Sequence, residues 1–140
     1  MDPVTAIGLA VNIFTVIDLS CKVISRADKL YQSGKDSTKE NAQIEEVVRD
    51  LKDYSLELNT SRNYATKHER SIETLGKECA ACSDELLAIL EDLKLSKKSR
   101  RRSVIKMWTI TRKKSEIAAL EARLGSYRAQ ISMRLMAALK

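Results

Sequence analysis

Apolar residues recur at helical spacing along almost the whole chain. Between Val4 and Ile24, fourteen of 21 positions are Val, Ile, Leu, Ala, Phe or Cys, while Thr5, Gly8, Asn12, Thr15, Asp18 and Lys22 recur at intervals of 3, 4, 3, 3 and 4. That spacing predicts a helix with one narrow polar stripe, apolar over the rest of its circumference. Such a helix needs partners over about two thirds of its surface. It is therefore either the central member of a bundle or a segment able to leave the bundle for lipid.

This opening helix is predicted to start at Pro3, where a missing N–H costs nothing, and to run to about Gln32. Ser33-Gly34-Lys35-Asp36 breaks it, Gly34 being suited to a left-handed cap, and Ser37-Thr38-Lys39-Glu40 reads as a capping box for a second helix. Ile44, Val47, Leu51, Tyr54 and Leu58 form one face of that helix. Asn59-Thr60-Ser61 competes with the helical backbone through side-chain hydrogen bonds, so a turn is placed between about residues 61 and 66, ahead of the capping box Thr66-Lys67-His68-Glu69.

The third helix shows Ile72, Leu75, Cys79, Cys82, Leu86, Ile89 and Leu93, with Leu87 and Leu90 widening the stripe. Lys94 to Arg102 reads as a basic connector. Ser103 to about Thr111 reads as a shorter helical stretch with Val104, Ile105, Met107 and Trp108 in one apolar patch. The last helix carries Ile117, Leu120, Leu124, Tyr127, Ile131 and Leu135 and ends in Met136 and Leu139. The expected fold is all-α, an antiparallel four- to five-helix bundle with the apolar N-terminal helix near its centre, in a single domain over residues 1–140. A pattern still periodic at Lys140 reads as one module of a longer chain.

Composition agrees with this pattern. One Pro, four Gly and 4% aromatic residues favour long helices over sheet. The net charge of +6 is unevenly spread, with +12 from Lys94 onward and −6 before it. The basic cluster Lys97, Lys98, Arg100, Arg101, Arg102, Arg112, Lys113 and Lys114 suits anionic membrane lipid, a solvated helix end, or nuclear localisation and nucleic acid. Only Trp108 accompanies it, too little aromatic interleaving for a single-strand binder, so nucleic acid is not the expected partner.

The segment before the apolar run carries Asp2 and no Lys or Arg, unlike a secretory signal. As a helix, Val4 to Ile24 is about 31 Å long, close to a hydrocarbon core of roughly 30 Å. Asn12, Asp18 and Lys22 oppose constitutive insertion, so a cytoplasmic protein is expected.

Residues that could carry chemistry are few. Cys79-Ala80-Ala81-Cys82 is a C-x-x-C, but both thiols fall on the apolar stripe of the third helix, and a closed zinc site would need Cys21 and the sole histidine, His68, to converge on them. Buried, reduced thiols are the expected reading. No phosphate-binding glycine pattern exists among Gly8, Gly34, Gly76 and Gly125. Neither a cofactor, a metal nor enzymatic activity is expected.

The opening M-D-P-V-T-A-I-G-L-A, continuing V-N-I-F-T-V-I-D-L-S-C-K-V-I-S, resembles the start of the N-terminal domains of fungal STAND (NACHT-type, NOD-like) receptors. The resemblance extends to Glu40 through Leu51, to Cys82-Ser83-Asp84-Glu85-Leu86-Leu87 with Leu90 through Lys94, and to Lys113 through Ile117 with Leu120 through Leu124. Related domains, called HeLo-like, are helical bundles similar in role to the executioner domains of animal necroptosis and plant resistosomes. The resemblance implies a module of programmed cell death and innate immunity. Downstream NACHT and sensor domains would drive homo-oligomerisation, and the first helix would then be released from the cytoplasm toward the plasma membrane.

By position, the inserting segment maps to Met1 through Ile24, with Val4, Ile7, Leu9, Val11, Ile13, Phe14, Val16, Ile17 and Leu19 as its apolar face. Thr5, Asn12, Thr15, Asp18 and Lys22 form its polar stripe. These polar residues depart from a purely apolar inserting helix. The competing expectation is a non-membrane adaptor that recruits a downstream helical partner by homotypic packing.

Overall fold

The computed structural model describes residues 3–32, 38–59, 67–96, 108 and 116–139, all of them helical. They form four helices, α1 (Pro3–Gln32), α2 (Thr38–Asn59), α3 (Lys67–Ser96) and α4 (Glu116–Leu139). The chain is an all-α bundle. The first helix has the bounds that Pro3 and the Ser-Gly break imply. α3 runs on to Ser96 rather than stopping before Lys94, because Lys94, Leu95 and Ser96 carry no helix breaker. The short stretch around Trp108 lies outside the described residues except for Trp108 itself.

Contacts between helices fix the directions. Arg26 near the end of α1 donates to Gln43 near the start of α2, so these two run antiparallel. Gly76 of α3 lies against Ile13 of α1 and Leu58 of α2, and Ser55 contacts Ala80 and Asp84. Arg128 of α4 reaches Asp18 of α1. α1, α2 and α3 therefore alternate in direction, as the short connections between them require. The first turns of α4, Glu116 to Arg123, lie beside Glu85 to Asp92 in the last part of α3, whereas Arg128 lies beside the middle of α1, so α4 runs antiparallel to both.

α1 touches all three other helices, and so does α3, whereas α2 and α4 do not touch among the described residues. The centre is a diagonal pair, α1 with α3, flanked on one side by α2 and on the other by α4. α1 is central, as its composition implies, but it shares that place. Gly76 allows the pair to close: a Cβ there would lie 3.2 Å from Ile13 Cδ1 and 3.3 Å from Ile13 Cγ1.

One heptad assignment needs correction. On α2, Ser55 is buried and Tyr54 is exposed, the reverse of the apolar spacing. The small Ser55 lets α2 approach α3. Its hydroxyl lies 3.2 Å from Asp84 Oδ1 and 3.1 Å from Ser83 Oγ, which donates to it, so both buried hydroxyls are satisfied. On α4, Ile117, Leu120, Leu124 and Ile131 are buried where the spacing places them, and Met136, next to the stripe residue Leu135, is 62% exposed. Ser20, inside the apolar run of α1, is buried and bonds back to the Val16 carbonyl at 2.8 Å.

Candidate functional site

α1 holds the residues with a candidate role. Ile7–Leu30 is long and apolar enough to cross a membrane by length and composition, and no other helix among the described residues passes that test. In the bundle its faces divide the work. Ile13, Val16 and Ile17 are fully buried, and Leu9, Phe14 and Leu19 pack half-buried against the core. Ile7 and Val11 are 46% and 53% exposed. The side chain of Val4 lies outside the described residues, as does that of Thr5.

The polar stripe turns toward solvent. Gly8, Asp18 and Lys22 are exposed, and Asn12 and Thr15 are half-buried. Thr15 satisfies its hydroxyl on the Val11 carbonyl at 2.8 Å. Asp18 is not a bare surface carboxylate, however. Arg128 of α4 pairs with it and also lies 5.8 Å over the ring of Phe14. One guanidinium thus grips two residues of α1 from outside the core, by charge and by ring face. Arg128 follows Tyr127 at the edge of the α4 stripe. Only its position there, one residue off the apolar face, hinted at a cross-helix partner.

Directions of the helices gather the exposed apolar groups. The large apolar side chains exposed among the described residues are Ile7, Val11, Tyr54, Leu56, Met133 and Met136. Ile7 and Val11 lie early in α1, Tyr54 and Leu56 late in α2, and Met133 and Met136 late in α4. In an alternating bundle these are the same end. That end is where α1 begins.

Trp108 marks the opposite end. It is fully buried and its indole N–H donates to Asp28 Oδ1 at 2.9 Å, which ties Trp108 to the last turns of α1. Spacing alone placed Trp108 in an apolar patch and gave no sign of Asp28. The basic residues Lys97, Lys98, Arg100, Arg101, Arg102, Arg112, Lys113 and Lys114 lie outside the described residues.

The thiols separate by environment. Cys79 and Cys82 are buried, and burial pushes them up to about 12 and about 11, so both stay protonated at neutral pH. Cys82 donates weakly to the Leu120 carbonyl of α4 at 3.7 Å. Cys21, read from the sequence as a small core residue, is exposed; it faces outward beside Asp18 and Lys22, just off the buried positions Ser20, Val23 and Ile24. Among the described residues no three His, Cys, Asp or Glu side chains converge as a metal site would need. No protein-family model, curated protein or solved structure matches the chain.

Proposed function

We propose that this chain is a signalling effector that acts at membranes through α1, as an oligomer formed on activation. The observation that carries the reading is the gathering of exposed apolar side chains at the end of the bundle where α1, the helix long and apolar enough to span a bilayer, begins. They stand on α1, α2 and α4 around that end, on both flanks of the α1–α3 pair, a girdle that a bilayer or further copies would cover. The resemblance to the N-terminal domains of fungal STAND receptors supplies the context, with cell death as the outcome and anionic membrane lipid as the target.

Energetics sets the condition for release. Each large apolar side chain of α1 contributes about 1.5–3 kcal/mol by its burial, so freeing the helix into water costs on the order of 10 kcal/mol. Lipid returns that burial, and water does not. Release and insertion must therefore be coupled, with clustering of several copies and the polar stripe kept wet between them.

The same buried face favours a second reading, in which α1 stays in the core and clustered bundles recruit a helical partner. Labelling Leu9→Cys, on the side of α1 opposite Asp18, in a Cys21→Ser background with a polarity-sensitive fluorophore separates the two. With the chain fused to an oligomerising scaffold on anionic vesicles, a blue shift that requires oligomerisation supports insertion. Unchanged emission from vesicle-bound oligomer assigns the adaptor role.

A further inference from the structure

The four helices form two hairpins, α1 with α2 and α3 with α4, and the two edges where the hairpins meet are built differently. Along the α2–α3 edge the joint is interior. Ser55 and Ser83 are buried there, and Ser83 Oγ donates to Ser55 Oγ at 3.1 Å, so this edge parts only by breaking buried hydrogen bonds. Along the α1–α4 edge the joint is at the surface. The Arg128 guanidinium pairs with Asp18 and lies 5.8 Å over the ring of Phe14, one turn earlier on α1.

α4 itself is fastened to α3. Arg123 bonds Glu85 at 2.7 Å, the Cys82 thiol reaches the Leu120 carbonyl, and α4 packs more extensively on α3 than on α1. These anchors lie in the first half of α4. Arg128 stands beyond them, in the second half, and reaches across to α1.

We infer that Arg128 is an autoinhibitory latch on α1. The bundle opens first along the α1–α4 edge, with α4 staying on α3, and the inference rests on the reading that α1 is the segment released. Asp18 and Arg128 are already largely exposed, so the pair parts without stranding a buried charge. Lys22, exposed four residues beyond Asp18, is placed to take its carboxylate. An exposed ion pair and a ring contact together shift the balance of closed and open bundle by roughly three- to thirtyfold. That is enough to set how often α1 is offered, and small beside what burial in lipid returns.

Hydrogen exchange of the full 140-residue chain, read helix by helix, tests this without a membrane. A detached α1 loses the packing that supports it, so its amides exchange whenever the edge opens. Arg128→Gln should speed exchange along α1 by roughly three- to thirtyfold while α3 keeps its rate. Arg123→Gln breaks the comparably exposed pair between α4 and α3 and should leave α1 nearly unchanged. Asp18→Arg together with Arg128→Asp should return α1 part of the way to the wild-type rate.

Equal speeding of α1 and α3 by Arg128→Gln, an equal effect of Arg123→Gln on α1, or no change at all overturns the inference. Ion leakage from anionic liposomes by the scaffold-fused oligomer keeps it apart from the membrane reading, since Arg128→Gln should leak sooner than wild type. If neither protein leaks while exchange along α1 responds as stated, the membrane reading falls and the latch stands. If wild type leaks and α1 exchange does not respond, the latch alone falls.

Discussion

The guanidinium of Arg128 on α4 pairs with the carboxylate of Asp18 on α1, across 110 positions of sequence. Both side chains are largely exposed, at 46% and 65%, so water and salt screen the pair. Its coupling energy should be ~0.2–1 kcal/mol, with the Phe14 ring contact adding about 0.5–1 kcal/mol. A double-mutant cycle of Asp18→Asn and Arg128→Gln in urea melts should return a coupling in that range that shrinks at 1 M salt, where the Debye length is about 3 Å. Exchanging the charges, with Asp18→Arg and Arg128→Asp together, should recover part of what either single change loses.

Gly76 should behave as a packing residue. Leu there overfills the α1–α3 contact and should cost about 1–3 kcal/mol or more. Gly76→Ala sets a gain of helix propensity of roughly 1 kcal/mol against pressure on Ile13 Cδ1. Removing that methyl with Ile13→Val should make Gly76→Ala more favourable than it is alone. Additive effects of the two changes would contradict the close approach.

The buried thiols predict loss of stability in alkali. Below pH 9 Cys79 and Cys82 are protonated whether the chain is folded or not. Above it the unfolded chain releases protons that the folded chain retains up to about 12 and about 11, so stability falls as pH rises through that window. Each thiol should contribute a slope of up to about 1.4 kcal/mol per pH unit. Cys79→Ala with Cys82→Ala should lose less stability than wild type between pH 8 and pH 10.5. In a thiol titration at pH 8, Cys21 should react in the native protein, and the other two only after denaturation.

Trp108 is the only tryptophan, so its emission reports its own contact with α1. Asp28→Ala removes a charged acceptor from the indole N–H and should cost about 1–3 kcal/mol, with a red shift if the ring becomes wet. Asp28→Asn, which keeps an acceptor, should lose less. Identical emission and stability in all three proteins would show that Asp28 does not hold Trp108.

Much of the fold was legible because helix boundaries and faces are local. Pro3, the Ser-Gly break and the period of α1 lie within a few residues of the features they set. Tyr54 misled because spacing ranks apolarity, while the α2–α3 contact selects for small size and takes Ser55. The Asp18–Arg128 and Asp28–Trp108 contacts were invisible, since they join helices through side chains that their own stripes count as polar or peripheral.

Action of α1 at membranes is tested most directly by ion leakage from anionic liposomes with Leu9→Glu in the scaffold-fused oligomer. Leu9 lies nine residues from Asp18, on the opposite side of the helix from the polar stripe, and is only half-buried in the closed bundle, so the variant should keep its helix content by circular dichroism. Facing the bilayer in every copy, its carboxylate costs roughly 2.5–3.5 kcal/mol, enough to oppose insertion. The wild-type oligomer should leak ions and the folded variant should not. A wild-type oligomer that binds vesicles without leakage, or a folded variant that leaks equally, would contradict the membrane role of α1.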